Sequence, residues 1–92
     1  MSVKPPEATP ELDERFRELL DFERGWWKHP GSKERAVRER FGLTLARYHQ
    51  LLHQALDEQA ALEYDPMLVR RLRRLRESRR RERVARRLGI EL

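Results

Sequence analysis

Cysteine is missing from the 92-residue chain, and its absence excludes a disulfide scaffold and any metal site built on thiolates. Long apolar runs are missing too. The longest runs, at residues 60–62 and 67–69, have three residues, whereas a helix that crosses a bilayer needs about 20. The first residues also lack the basic and then apolar pattern of a secretion signal. We therefore expect a soluble, cytoplasmic protein without membrane contact.

The composition leaves little room for an enzyme. Apolar residues make up 38% of the chain and charged residues 40%, which is enough for one modest core and excludes a two-domain enzyme. There is no glycine-rich phosphate loop, and no serine has a histidine near it. His49 and His53 have the i, i+4 spacing of metal ligands, but no cysteine or acid on that face completes a tetrahedral set. We expect no catalytic residue, no metal and no cofactor.

Charge is abundant and unevenly placed. The chain has 21 basic and 16 acidic side chains, a formal net charge of +5, and 18 of the basic residues are arginines. The net charge is −4 over residues 1–23, +5 over 24–53, −4 over 54–66 and +8 over 67–92. A GC-rich genome would enrich arginine codons, but it would not segregate the two signs along the chain. Arginine favours planar, bidentate contact with phosphate or guanine, so we expect a polyanionic partner.

Capping residues and prolines divide the chain into four predicted helices. Residues 9–11 (Thr-Pro-Glu) place an N-cap, a first-turn proline and an acid in order, so the first helix should begin there. Residues 29–31 (His-Pro-Gly) should end it. Its apolar residues cover one face of about 160° and should form much of the core: Leu12, Phe16, Leu19, Leu20, Phe22, Trp26 and Trp27.

The second and third helices are separated by a short glycine turn. Ser32 should cap a helix over residues 33–41, and Gly42 stands where a left-handed residue would end it. Thr44 can cap a third helix that extends to about Ala61. The inward stripe of this third helix consists of Tyr48, Leu51, Leu52, Ala55, Leu56 and Gln59.

The fourth helix should begin at residues 65–66 (Asp-Pro) and continue to about Leu88, before Gly89. Its apolar face, made by Leu68, Val69, Leu72 and Leu75, stops before a stretch from Arg76 to Arg83 that has nothing to bury. We therefore predict an all-α fold in which three helices form a helix-turn-helix core and a long basic helix follows. The expected division is a flexible lead-in at 1–8, the core at 9–64 and the arginine-rich helix at 65–92.

Residues 33–57 have the helix, glycine turn and helix order by which DNA-binding proteins place one helix in the major groove. No acid occurs between Glu39 and Asp57, so nothing on that stretch repels phosphate. An ordinary solvated helix face is the alternative, and the large Arg38, where tight motifs usually have a small residue, counts against the match. In the predicted major-groove helix, residues 44–57, the side chains suited to base edges are Arg47, His49, Gln50 and His53.

Eleven arginines fall in the last 26 residues and surround the predicted fourth helix. Such a helix would hold the DNA backbone without choosing a sequence. The alternatives are a solvated helix end with counterions and a membrane-surface helix, although the latter would need an apolar face to insert. Within the arm at 70–87 the predicted phosphate contacts are Arg73, Arg76, Arg79, Arg80, Arg83 and Arg87. Lys33, Arg35 and Thr44 should hold the other flank.

Two features of the first helix need partners. Glu23 lies in the middle of the apolar face, and a carboxylate there should find a cation on the second helix, namely Arg35, Arg38 or Arg40. Trp26 and Trp27 point about 100° apart, so both can pack, or one can lie at the edge of the core and face a partner.

The chain resembles a family of small actinobacterial proteins that is classed only as a domain of unknown function. The resemblance covers about residues 12–88, and the segments that carry it are residues 22–28 (Phe-Glu-Arg-Gly-Trp-Trp-Lys), 33–37, 41–43, 48–52 and 65–72. It implies an all-helical protein with a centre similar to a helix-turn-helix. It implies no activity.

We therefore predict a double-stranded DNA-binding protein of the nucleoid, either a small transcription regulator or a nucleoid-associated protein, with a homodimer left open. A first alternative is an adaptor that uses the Trp26 and Trp27 edge to contact RNA polymerase or a sigma factor. A second is an RNA or ribosome binder in which the arginine helix folds onto structured RNA.

Overall fold

The computed structural model describes residues 11–89, and this part of the chain is all-helical, as predicted, without a β-strand. It contains five α-helices rather than the four expected. They are α1 (Glu14–Gly25), α2 (Lys33–Phe41), α3 (Leu45–Leu56), α4 (Gln59–Tyr64) and α5 (Pro66–Leu88), with a 3₁₀ turn at Trp26–Lys28.

Helix α1 begins later and ends earlier than predicted. The carboxylate of Asp13 accepts a hydrogen bond from the Arg15 amide at 2.8 Å and makes Asp13 the N-cap, whereas Thr9 and Pro10 lie outside the described residues. The α-helix ends at Gly25, whose φ of −126° leaves the helical region, and the 3₁₀ turn follows. Of the two arrangements expected for the tryptophans, the structure has the second: Trp26 is half-buried and Trp27 is 66% exposed.

The turn between α2 and α3 forms as predicted. The Ser32 hydroxyl accepts from the Arg35 amide at 3.2 Å, and the Thr44 hydroxyl accepts from the Arg47 amide at 3.1 Å. Gly42 has a φ of 67°, in the left-handed region, and its amide donates to the Arg38 carbonyl. These three local interactions determine where α2 begins and ends and where α3 begins.

The third predicted helix is wrong at its C-terminal end. Helix α3 stops at Leu56, Glu58 has an extended backbone (φ −87°, ψ 132°), and α4 then forms a separate helix. Arg73 of α5 donates to the Leu56 carbonyl at 2.7 Å, so the free end of α3 is satisfied by a side chain from far along the chain. The break turns Ala61 into the core and leaves Gln59, expected inside, exposed.

Helix α5 has the predicted bounds. The carboxylate of Asp65 accepts from the Leu68 amide, Pro66 occupies the first turn, and Gly89 ends the helix in the left-handed conformation with a φ of 72°. Asp65 is itself buried, and it forms an ion pair with Arg24 of α1. This pair fastens the start of α5 to α1. Within residues 11–89 no helix combines the length and apolar composition that are needed to cross a membrane.

The core lies between α1, α2 and α3 and is extended by the start of α5. Tyr48 of α3 is fully buried, and its ring lies 5.7 Å from that of Phe22 and 5.9 Å from that of Phe41. Helix α5 contributes buried residues near its start, at Leu68 and Val69, and Leu72 packs against them. Leu75, predicted on the same inward face, is 46% exposed.

Candidate nucleic-acid interface

Helix α3 is the centre of the molecule and packs against the other four α-helices. Its inward residues are buried, and the opposite face is open to solvent, with Ala46, Arg47, Gln50 and Gln54 exposed. The guanidinium of Arg47 donates to the Gln50 side-chain oxygen at 3.1 Å. Of the four predicted base contacts, Arg47 and Gln50 therefore lie side by side on the open face.

The other two, His49 and His53, lie on the flank of α3 that is turned toward α5. His49 is half-buried and His53 is exposed, and their ring centroids are 6.4 Å apart. Burial lowers the pKa of His49, and the positive charge of Lys33 lowers it further. The pKa of His53 is lowered first by burial and then by Arg76. Both imidazoles are therefore neutral at neutral pH and can both donate and accept hydrogen bonds.

Helix α5 runs back along α3 in the opposite direction. Arg73 bonds to the Leu56 carbonyl, and Arg76, one turn later, donates to the His53 carbonyl at 3.3 Å and pairs with Asp57 at 3.0 Å. These two arginines, both predicted to contact phosphate, are half-buried and hold α5 against the C-terminal end of α3. Their guanidinium groups already have protein partners.

Six of the nine remaining arginines of α5 fall on two faces, and Arg71, Arg79 and Arg86 belong to neither. Residues seven apart on a helix share a face to within about 20°. Arg80 and Arg87 therefore lie on the same face of α5 as Arg73, and Arg83 lies on the same face as Arg76. We call Arg80, Arg83 and Arg87 the α3-side arginines. Arg70, Arg74 and Arg81, the outer arginines, lie about 130° around the helix from them. All six are exposed, and none forms an ion pair in the part of the chain that the structure describes.

On the opposite flank, at the start of α2, the predicted phosphate contacts already have partners within the protein. The Lys33 amine lies 2.8 Å from a carboxylate oxygen of Glu23 and 5.1 Å from the centre of the Trp26 ring, and its side chain is 18% exposed. Arg35 is exposed but pairs with Glu39 at 3.0 Å. Thr44 is exposed, with its hydroxyl oxygen capping α3. The three predicted phosphate contacts on this flank thus all have intramolecular partners.

The predicted partner of Glu23 is wrong, although the kind of interaction is right. Glu23 pairs with Lys33 and not with Arg35, Arg38 or Arg40. It also accepts a hydrogen bond from the Tyr48 hydroxyl at 2.7 Å. Arg35 and Arg38 are held along α2 by acids four residues away, whereas Lys33 in the first turn faces α1. Burial and the negative charge of Glu23 raise the pKa of Tyr48, so its hydroxyl stays a donor.

A family model matches residues 11–84, more than three quarters of the chain. The chain belongs to this family, which is described as "Protein of unknown function (DUF3263)". No curated protein and no solved structure matches the chain. The family description assigns no activity, so a function has to be argued from the surface itself.

In this member of the family, the described surface brings most of the predicted contacts to one side. Arg47 and Gln50 lie on the open face of α3, His53 lies at its edge, and the α3-side arginines continue past that edge along α5. No group of three or more histidine, cysteine, aspartate or glutamate residues within residues 11–89 could hold a metal ion. The sequence did not reveal that α5 returns along α3, because no local pattern encodes that contact.

Proposed function

We propose that the protein binds double-stranded DNA with the open face of α3 and the α3-side arginines of α5. One observation carries this proposal. The exposed face of α3 is polar and contains no acid, and beside it lies a row of arginines that have no ion-pair partner among residues 11–89. Solvent or a polyanion must neutralise these arginines, and a duplex offers phosphates at regular spacing.

Helix α3 would enter the major groove. Arginine can bind the O6 and N7 atoms of guanine, and glutamine can bind the N6 and N7 atoms of adenine, which suits Arg47 and Gln50. Ala46 on the same face is small enough to let the backbone approach the bases. His53, neutral and at the edge of the face, can contact a base or a phosphate. These side chains would supply the sequence preference.

Helix α5 would hold the DNA backbone. Phosphate contacts position a protein on the duplex but carry no sequence information directly. If four arginines reach phosphates, the logarithm of the binding constant should fall with the logarithm of salt concentration at a slope of about −3.6. The exposed α3-side arginines and the adjacent Arg79 are the members of the arm that adjoin α3 and form no ion pair with any residue from 11 to 89.

The decisive experiment replaces one face of α5 at a time. One variant changes the three α3-side arginines to glutamine, and its matched control changes the three outer arginines, so the net charge falls equally. We expect the first variant to lose roughly 100-fold in affinity for a random duplex at 0.1 M salt, with a salt slope smaller by about 2.7. The control should lose no more than a few-fold. Fluorescence anisotropy over a salt titration measures both quantities.

Equal losses in the two variants would show that only net charge matters and would contradict this interface. Absence of duplex binding by the wild-type protein even in dilute buffer would overturn the proposal altogether. Duplex RNA of the same length, measured at the same salt concentration, separates DNA binding from RNA binding.

Gln50→Ala tests the α3 face. We expect it to weaken binding at preferred genomic sites about tenfold and to leave random duplexes nearly unaffected, because a bidentate base contact discriminates by about 1–3 kcal/mol. Gln59→Ala on α4, which also removes an exposed glutamine, is the control. Preferred sites would first be selected from fragmented genomic DNA.

A second candidate function rests on Trp27. Its indole is 66% exposed, an unusual position for so large an apolar ring, and its ring nitrogen donates to the Arg24 carbonyl at 3.1 Å, which fixes its orientation. A protein partner in the transcription machinery could cover it. Binding of purified RNA polymerase that persists in 0.5 M salt and is lost in Trp27→Ala would support this function over DNA binding.

A further inference from the structure

A cleft of about 420 Å³ opens between α3 and α5, with the 3₁₀ turn at one end. Its floor is apolar and includes Trp26, Leu52, Leu56 and Leu75. This volume lies within the range of about 300–1,000 Å³ that is typical of small-molecule sites. Leu75 is 46% exposed at this position, so part of the apolar floor is in contact with solvent.

The rim of the cleft is cationic. Lys33, Arg76, Arg79 and Arg83 line it, and Glu23 is its one acid. The charge of Glu23 is matched by Lys33, and that of Arg76 by Asp57. Arg79 and Arg83, one turn apart, form no ion pair with any residue from 11 to 89. The cleft therefore combines an apolar floor with two cations that a ligand could neutralise.

A second hollow, between α1 and α2, is larger at about 690 Å³ but differs in charge. It is lined by three acids, Glu18, Asp21 and Glu39, and by two arginines, Arg35 and Arg40, of which Arg35 is paired with Glu39. A mixed and partly neutralised lining selects for no ligand charge. The cleft between α3 and α5 is distinguished by its excess of positive charge.

We propose that the cleft between α3 and α5 binds a small organic carboxylate, with its apolar body against Trp26, Leu72 and Leu75 and its carboxylate between Arg79 and Arg83. Two guanidinium groups one helical turn apart can each donate to one carboxylate oxygen, and such charge-assisted hydrogen bonds are stronger than neutral ones. The neighbouring His49 and His53 are neutral at neutral pH and can add a hydrogen bond. This ligand site goes beyond DNA binding and does not depend on it.

The test uses decanoate below its micelle-forming concentration as the probe and the full-length protein without DNA. Decyltrimethylammonium, with the same chain and the opposite charge, and acetate, with the same charge and no apolar body, are the controls. By calorimetry, we expect saturable binding of decanoate and no saturable binding of either control. In Trp27→Phe, which leaves Trp26 as the one indole, decanoate should also change the fluorescence, because Trp26 lines the cleft.

Matched variants locate the site. Changing Arg79 and Arg83 to glutamine should weaken decanoate binding at least tenfold, whereas changing Arg74 and Arg81, exposed on the outer face, should change it less than twofold. Leu75→Asn should also weaken binding. All five positions are exposed, Leu75 at 46%, and circular dichroism verifies that each variant remains helical.

Three results would overturn the proposal. The first is that decanoate shows no saturable binding up to millimolar concentration. The second is that the cationic probe binds as well as decanoate, and the third is that the two double-arginine variants lose equal affinity for decanoate. Because no DNA is present, these outcomes are independent of the outcome of the DNA titration. A protein that binds duplexes but not decanoate would refute the ligand site alone.

Discussion

The two halves of α5 are both rich in arginine but have different surroundings. In the first half, residues 66–76, Leu68 and Val69 are buried and two arginines bond to the end of α3. In the second half, residues 77–88, Val84 and Leu88 are 45% and 66% exposed, and the small Ala85 is the one buried residue. The arginines of one helix therefore differ in their surroundings: Arg73 and Arg76 donate to the carbonyls at the end of α3, whereas in the second half only Arg86 forms an ion pair within residues 11–89.

The largest difference between the halves should appear in stability. Leu68→Ala should lower the free energy of unfolding by about 3 kcal/mol, because it leaves a cavity beside the core. Leu88→Ala should change it by less than about 0.5 kcal/mol, because the side chain is already mostly in water. Urea unfolding followed by circular dichroism measures both. A similar loss in the two variants would mean that the end of α5 is packed as firmly as its start.

A smaller difference should separate the arginines. Arg73→Gln removes the donor to the Leu56 carbonyl and should cost about 1.5 kcal/mol, as expected for a hydrogen bond from a charged group. Arg81→Gln, on the exposed outer face, should stay within about 0.5 kcal/mol of the wild type. Chemical denaturation at one pH compares them. If Arg73→Gln proves neutral, the end of α3 does not depend on α5.

The two helix-ending glycines allow a third comparison. Gly42 and Gly89 have φ values of 67° and 72°, and an added methyl group would meet no atom within 4 Å at either position. The strain is therefore the same, but Gly42 joins two packed helices, whereas a strained Gly89 can be relieved if the last turn of α5 unwinds. We expect Gly42→Ala to cost about 1 kcal/mol and Gly89→Ala a few tenths. Thermal unfolding of the two variants measures both losses. A larger loss in Gly89→Ala than in Gly42→Ala would mean that the last turn of α5 is tightly held.

The smallest expected effect is the pH dependence of stability that comes from His49 and His53, the two histidines of α3 that face α5. The pKa values of His49 and His53 are lowered from 6.5 by burial first, so between 6.5 and the lowered values the unfolded chain binds more protons. The free energy of unfolding should therefore fall as pH decreases through this window. Changing both histidines to glutamine should reduce that fall. Histidine proton resonances that titrate at or above 6.5 in the native protein would contradict it.

Local signals in the sequence predicted the parts of the fold that depend on local interactions. Ser32, Gly42 and Asp65 interact within four residues of themselves, so the bounds of α2 and α5 could be predicted from the sequence. The end of α3 could not, because it depends on Arg73, 17 residues away. The partner of Glu23 was missed since the choice among cations on α2 depends on how α2 is rotated against α1.

The candidate site was predictable in composition but not in arrangement. The exposed face of α3 follows from helical periodicity alone, and Arg47 and Gln50 lie on it as expected. The position of His49 and His53 beside α5 required knowledge of a contact between helices that are separated by α4. The same contact distinguishes the α3-side arginines from the outer arginines, which the sequence counts as equals.

If the protein binds DNA as proposed, the length and placement of the second half of α5 have a consequence for the duplex. From Glu77 to Leu88 the helix extends about 18 Å, and neighbouring phosphates of one strand are about 3.4 Å apart along the axis. This row of side chains could therefore follow about five nucleotides. Because the helix passes one flank of α3, a single bound copy would protect DNA from nuclease unequally on its two sides. A symmetrical footprint would instead report two copies facing in opposite directions.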